Sequence, residues 1–366
     1  MSALQSERAI EIVTPLGEDV LLFHRMTATE TLGRLFQFEI DLLSMDPNIP
    51  FEKLLGQNVT IRLDLPEDKT RYFNGFVSRF SQEGSVDDFN AYSMTVHPWL
   101  WFLTRTADCR IFQKKKVPDI IKEVFRDHGF TDFEEALSGS YRTWEYCVQY
   151  RETDFNFVSR LMEQEGIYYY FKHESNRHVL VLSDSVSSHD PFPGYERIPY
   201  FPPDEHLRRE KHHIHEWTIS QEVQPGVYAL NDYDFENPKA NLQVKSAIPR
   251  NHAHSKMEIF DYPGEYVKAK EGEAYVRARI EELQGDFEQV QGQANARGLA
   301  AGSLFELVDY PREDQNQEYL VVSAIHELES DSYSSGSSTG SEDVYSCSFT
   351  ALRSKQPFRP DRTTPK

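Results

Sequence analysis

The chain has 366 residues, 39% of them hydrophobic and 13% aromatic. That is enough apolar material for packed cores in roughly two to four compact units, and too much for a disordered chain. A formal net charge of −20 sets the surface against phosphate backbones and anionic lipid headgroups, which argues against nucleic acid and anionic membrane surfaces as partners.

The three cysteines, Cys109, Cys147 and Cys347, are odd in number, widely spaced and free of any C-x-x-C pair. A disulfide framework and a zinc ribbon are both excluded on that pattern. The segment Met1–Arg8 lacks a basic region followed by an apolar core, so it does not read as a signal peptide. No apolar run approaches the roughly 18–20 residues of a membrane span. The expectation is folding in a reducing cytosol, with any export proceeding without a cleaved leader.

The first hundred residues read as β. Ile10–Val13 is a short strand ended by Thr14-Pro15-Leu16-Gly17, and Val20–Thr31 is a long one. Phe36–Leu42 and Val59–Leu63 alternate apolar and polar positions, while Phe51–Gly56 is one helical turn closed by glycine. Tyr72–Phe80 and Phe89–His97 complete a meander, the pattern of a small antiparallel barrel or sandwich. Pro98 then breaks the strand, and Trp99 and Trp101 are expected to plug the end of the barrel. A helix over Val117–His128 follows, with Ile120, Ile121, Val124 and Phe125 on one face, proline near its start and Gly129 after its end.

Thr143–Phe171 combines an extended alternating run, a helix and an aromatic strand. Phe155, Val158, Leu161 and Met162 have the spacing of one helical face. Thr153 or Asp154 can cap the helix start, and Gly166 can close its end in a left-handed conformation. Val179–Leu182 pairs with Tyr168–Phe171. Residues 185–207, rich in Pro, Ser and Asp, form a loop. A hairpin is expected between Ile214–Val223 and Val227–Phe235 across Pro225-Gly226, and a second insertion of about 240–300 holds a helix near Lys270–Leu283. Ser303–Val308, Tyr319–Glu327 and Val344–Leu352 return to β. The end, Gln356–Lys366, is proline-rich and basic, like an extended linker.

Several of these stretches resemble one family. Glu152-Thr153-Asp154-Phe155, Arg160-Leu161 and Glu165-Gly166-Ile167-Tyr168-Tyr169 are similar to the hallmark of VgrG, the spike protein of bacterial type VI secretion systems. Pro98-Trp99-Leu100-Trp101, Arg110-Ile111-Phe112-Gln113 and Val117-Pro118-Asp119-Ile120-Ile121 also resemble VgrG segments and stand in the family's order. The family is in turn similar to the hub and spike of contractile-tailed phages. The resemblance covers nearly the whole chain, but only the base of a full spike.

It implies an α+β, mainly β fold with two small antiparallel tube-like β-barrels, each carrying an α+β insertion. The first barrel would span 8–115 and its insertion 116–207. The second would comprise 208–240 and 301–355, interrupted by an insertion with a helix at 241–300. Residues 356–366 would link to an oligonucleotide-fold domain and a needle that lie beyond this sequence. The implied role is structural: a homotrimer joining a hexameric tail tube to a trimeric needle, contacting baseplate and effector proteins. It would wait in the bacterial cytoplasm and then be secreted through the type VI apparatus, with no enzymatic activity, catalytic residue, metal or cofactor. The alternatives are a hydrolytic effector enzyme and a carbohydrate- or protein-binding module, which a hydrolase screen and a glycan array would reveal.

The catalytic motifs in the sequence fit those alternatives poorly. Gly336-Ser337-Ser338-Thr339-Gly340 matches G-x-S-x-G, but it stands in serine-rich sequence between two strands, without the following helix a nucleophile elbow needs. His206, His212, His213 and His215 cluster before Trp217, and His213 and His215 share one face of a strand; His252 and His254 repeat the spacing. Neither pair has the third and fourth ligands of a stable metal site. His215-Glu216 and His326-Glu327 do not extend to H-E-x-x-H, because Ile219 and Ser330 occupy the last position. Polar strand edges account for these histidines.

Overall fold

The computed structural model describes residue 5 and residues 8–203, 211–330 and 344–365. Its largest element is a twelve-stranded sheet built from two runs of the chain. The first run supplies β1 (Ile10–Val13), β2 (Leu22–Thr31), β3 (Gln37–Ser44), β4 (Asn58–Leu65), β5 (Lys69–Val86) and β6 (Phe89–His97). A 3-10 segment, Trp99–Arg105, leads out of it into β7 (Ala107–Lys116), α1 (Val117–Asp127), β8 (Phe133–Ala136), β9 (Thr143–Thr153), α2 (Asp154–Glu165), β10 (Tyr168–His173) and β11 (His178–Ser183). The second run begins with β12 (Arg197–Pro199) and β13 (Ile214–Gln221). It breaks for β14 (Val227–Leu230), β15 (Val244–Ala247), β16 (Glu258–Asp261) and α3 (Ala269–Gly285). It resumes with β17 (Glu288–Ala294), β18 (Leu304–Val308), β19 (Glu318–Glu329) and β20 (Val344–Arg353).

The strands pair in the order β1-β4-β5-β6-β3-β2-β19-β20-β17-β13, with β18 and β12 branching from β19. The branch has a local cause. At Leu304–Glu306, β18 pairs with the first half of β19, and at Arg25–Thr31, β2 pairs with its second half. The change of partner falls where the β19–β20 register slips by one residue, between Val321 and Ser323. A bulge bends its strand, and the carbonyl of Val322 turns outward to accept from Leu32 N–H.

Two closed barrels were expected; the pairing found is one continuous sheet, and no ring closes among the described residues. The edge that β2 would offer to close the first unit is taken by β19 instead. One core therefore runs through both halves, from Phe38, Ile61 and Phe73 to Phe305, Tyr319 and Phe349.

The expected hairpin across Pro225-Gly226 is also replaced. β13 pairs with β17, while β14 joins β15 and β16 in a small separate sheet. Gly226 explains the departure, because a Cβ there would stand 1.8 Å from the Ser255 carbonyl oxygen. Only glycine lets the chain enter the second insertion this closely. β17 lies in the main sheet between β13 and β20, not in the insertion.

The first insertion follows its sequence pattern. Tyr168 to Phe171 run opposite Ser183 to Leu180, and α1 buries Ile120, Ile121, Val124 and Phe125. β7 and β9 form a separate two-stranded ribbon over this core. Trp99 belongs here and plugs no barrel: its ring lies 5.0 Å from Phe125 and 4.8 Å from Phe130. Trp101 is only half-buried, stacked on His97 and under the Arg105 guanidinium.

Candidate functional site

The stretch that carries the family resemblance is where four elements are tied together. Thr153 caps α2, its hydroxyl accepting from Asn156 N–H at 3.1 Å, and Gly166 ends it at φ +71°. Both assignments follow the sequence. Asp154, which the sequence offered as an alternative cap, has another role. Its carboxylate is 2% exposed and accepts from Thr106 Oγ1 at 2.7 Å and Gln149 Nε2 at 2.7 Å, with His128 Nε2 at 2.8 Å and the Arg110 guanidinium as well. Burial works to raise this carboxyl, but those hydrogen bonds and the Arg110 charge hold it below the usual range.

The other matched residues serve the same end. Arg160 grips Glu152 through two hydrogen bonds, at 2.6 and 2.8 Å. Such a bidentate pair fixes the helix against the ribbon. Glu165 receives Tyr275 Oη at 2.9 Å and Trp144 Nε1 at 3.3 Å, and burial raises its carboxyl. That contact joins the first insertion to α3. The charged residues of the hallmark are thus held in place by hydrogen bonds, and each ties down a neighbouring element.

A second buried polar cluster sits in the main sheet. Glu30 lies 3.3 Å from Arg71 Nη2, 3.1 Å from His326 Nε2 and 3.2 Å from His173 Nε2. Burial alone would raise the Glu30 carboxyl; its histidine partners hold it well below the usual range. Burial and the Arg71 cation push His326 down to about 4, so at neutral pH His326 faces Glu30 as a neutral ring beside the charged Arg71 guanidinium. His326 Nδ1 meets Tyr345 Oη at 3.0 Å. Burial raises Tyr345 and pushes the Cys347 thiol up to about 12, which leaves that thiol unreactive. Sequence reading missed this cluster, because its members are scattered from residue 30 to residue 345 with no local spacing.

His212, His213 and His252, singled out from the sequence, each have other partners. His213 and His215 face each other with rings 5.9 Å apart, but His213 Nδ1 bonds the Lys211 carbonyl. His212 bonds Tyr195, and His252 stacks on Phe287. Among the described residues no three His, Cys, Asp or Glu side chains converge as metal ligands. His206 and the Gly336–Gly340 motif lie outside the described residues.

Two apolar surfaces remain uncovered. On the outer face of the β7–β9 ribbon, Ile111 and Tyr150 are more than 60% exposed, beside Tyr146 and Val148. On the second insertion Tyr233, Phe235, Phe260 and Tyr262 project outward. Exposed large apolar side chains grouped on one element are the kind of feature that marks interaction surfaces.

Comparison with known proteins accounts for this architecture. Residues 29–332 match the model of the phage tail baseplate hub (GPD) family. The chain is 50% identical over 365 residues to the type VI secretion system spike protein VgrG1b of Pseudomonas aeruginosa, covering 100% of this chain and 49% of that protein. It is 30% identical over 298 residues to the actin cross-linking toxin VgrG1 of Vibrio cholerae, 80% of this chain and 27% of that one. The chain thus spans half or less of these relatives. Among solved structures, the Escherichia coli c3393 protein, described as a type VI secretion component similar to phage T4 gp27 and gp5, aligns with a TM-score of 0.68. Its identity is 20%, over 98% of this chain and 80% of that one. The chain belongs to the phage tail baseplate hub family, alongside the VgrG spike proteins.

Proposed function

We propose that the chain is the base of the cell-puncturing spike of a type VI secretion system, joining a six-fold tail tube to a three-fold needle and helping to carry effectors outward. The observation that carries this is the 50% identity, along its full length, to a spike protein. The sheet supports it. Six strands come from each run of the chain, β1–β6 and then β12, β13 and β17–β20, so one chain offers two β units of equal strand number. Three chains around an axis would present six units to a hexameric tube, through one repeated heterologous interface.

The proposed parts keep the division at 8–115, 116–207, 208–240 with 301–355, and 241–300, with β7 reassigned to the first insertion, β12 and β17 to the sheet, and β14 to the second insertion. The exposed apolar faces on the two insertions are surfaces that an assembly with baseplate or effector proteins would cover. The role is mechanical, not enzymatic; the toxin named among the relatives is a chain of which this one matches about a quarter. Among the described residues no helix is long and apolar enough to cross a membrane. The protein would reside in the bacterial cytoplasm and be exported through the apparatus itself.

The test is mass measurement in solution combined with particle imaging. A trimer whose β units occupy six pseudo-equivalent positions is expected. A stable two-fold dimer would overturn the proposal.

A further inference from the structure

Composition marks residues 356–366 as an extended linker, but the structure clamps residues 356–364. After β20 the chain crosses the C-terminal end of α3, where Gln356 Nε2 donates to the carbonyls of Gln284 and Gly285 at 2.8 and 3.1 Å. Phe358 sets its ring edge-on against buried Tyr168 at 4.9 Å. Arg359 donates to the carbonyls of Gly166 and Asp184 at 2.9 and 2.7 Å and pairs with Glu281 at 2.8 Å. The segment then ends on α2.

Glu163 is the terminus of that path. Its side chain is 3% exposed. One carboxylate accepts from Thr363 N–H at 3.1 Å, Thr364 N–H at 2.9 Å, Thr364 Oγ1 at 2.8 Å and Arg34 Nη1 at 3.3 Å. Arg34 closes the clamp from the other side, donating to the Asp361 carbonyl and Thr363 Oγ1. A carboxylate in the last turn of a helix faces the negative end of the helix dipole. Buried there it needs strong donors, and the tail and Arg34 supply them.

We infer that Glu163 is a positioning residue: it anchors the C-terminal segment to α2 and thereby fixes the direction in which the chain leaves the base. This rests on the spike-base proposal for its purpose, but not for its geometry. Tension arriving from the C-terminal side meets this clamp first and passes into α2, α3 and the turn at Gly33–Arg34, before it can peel β20 from β19 and β17. Hydrogen bonds that gather on one buried carboxylate let go together; a strand pulled from its end releases its ladder one bond at a time.

Two measurements on the single chain test this without requiring assembly, so failure to trimerise would leave them unaffected. By hydrogen exchange, the Thr363 and Thr364 amides should be protected in the unaltered protein. Glu163→Gln should speed their exchange by about tenfold or more while β20 keeps its protection. Thr364→Val, which removes one donor without touching the helix, should give a smaller loss at the same two amides. In single-molecule pulling between the exposed thiol of Cys109 and the C-terminus, a first event should release residues 358–364, roughly 20–25 Å of chain, at a lower force in Glu163→Gln. Unprotected amides in the unaltered protein, protection unchanged in both variants, or β20 yielding with no earlier event would each overturn the inference.

Discussion

Single residues in this protein tolerate burial of charge only because their partners are fixed. Glu30 survives in the sheet interior because Arg71, His173 and His326 face it, and that arrangement makes the core acid-sensitive. The histidine stays neutral when folded, near pKa 4, but takes a proton at about 6.5 when unfolded. Its contribution is therefore complete above pH 6.5 and is lost as pH falls toward 4; the depressed Glu30 acts in the same direction at lower pH. From pH 7.5 to 5, His326 should account for about 2 kcal/mol of lost stability. Denaturant titration should show a shallower loss in His326→Gln over that interval; identical slopes would refute the assignment. Asp154 gives a second contrast. Asp154→Ala leaves the Thr106 hydroxyl and the Gln149 amide without their acceptor and removes one of three carboxylates at Arg110, and should cost about 1–3 kcal/mol. Asp108→Ala removes a partner of the same arginine, but the Asp108 side chain is 54% exposed; its loss should cost at most about 1 kcal/mol. Equal costs by thermal denaturation would show that Asp154 is not the hub.

At the level of elements, the 3-10 segment Trp99–Arg105 separates two tryptophans that look alike in sequence. Trp99 points into the core shared by α1 and α2, whereas Trp101 stays at the surface between His97 and Arg105. Trp99→Ala should destabilise by about 3–5 kcal/mol through the cavity it leaves. Trp101→Ala forfeits a stacking and a cation–π contact and should cost about 1 kcal/mol. Comparable losses in the two variants would contradict this placement. Gly166 shows how a helix end becomes a joint between elements. A Cβ there would meet Ala278 of α3 at 3.1 Å, so the residue that terminates α2 also admits its neighbour.

For the whole molecule, the acidic surface and the uncovered apolar faces pull in opposite directions. Three chains of net charge −20 repel at long range, while apolar faces favour contact at short range. Salt shortens the reach of the repulsion to roughly 8 Å at physiological ionic strength. At fixed protein concentration the fraction of the proposed trimer should therefore rise as salt increases from low to physiological levels, as read by mass photometry. A fall would mean that the interface is held by opposite charges instead.

The sequence by itself determined what depends on local physics. The period of Phe155, Val158, Leu161 and Met162, a cap at Thr153 or Asp154 and the stop at Gly166 place α2 to within one residue. Alternation places most strands, and the order of short motifs identifies the family. What the chain brings together over long separations was decided only by tertiary structure. Nothing near Thr31 announces that β2 will pair with β19, about three hundred residues later, because a strand edge pairs with whichever edge the packing leaves beside it. The same holds for the Glu30 cluster and for the tail. The proline and charge content of residues 356–364 signals a solvated segment, yet a buried carboxylate in α2 supplies the acceptor that holds it. Composition records what a segment can do alone; burial of its partner, set by the fold, decides what it does.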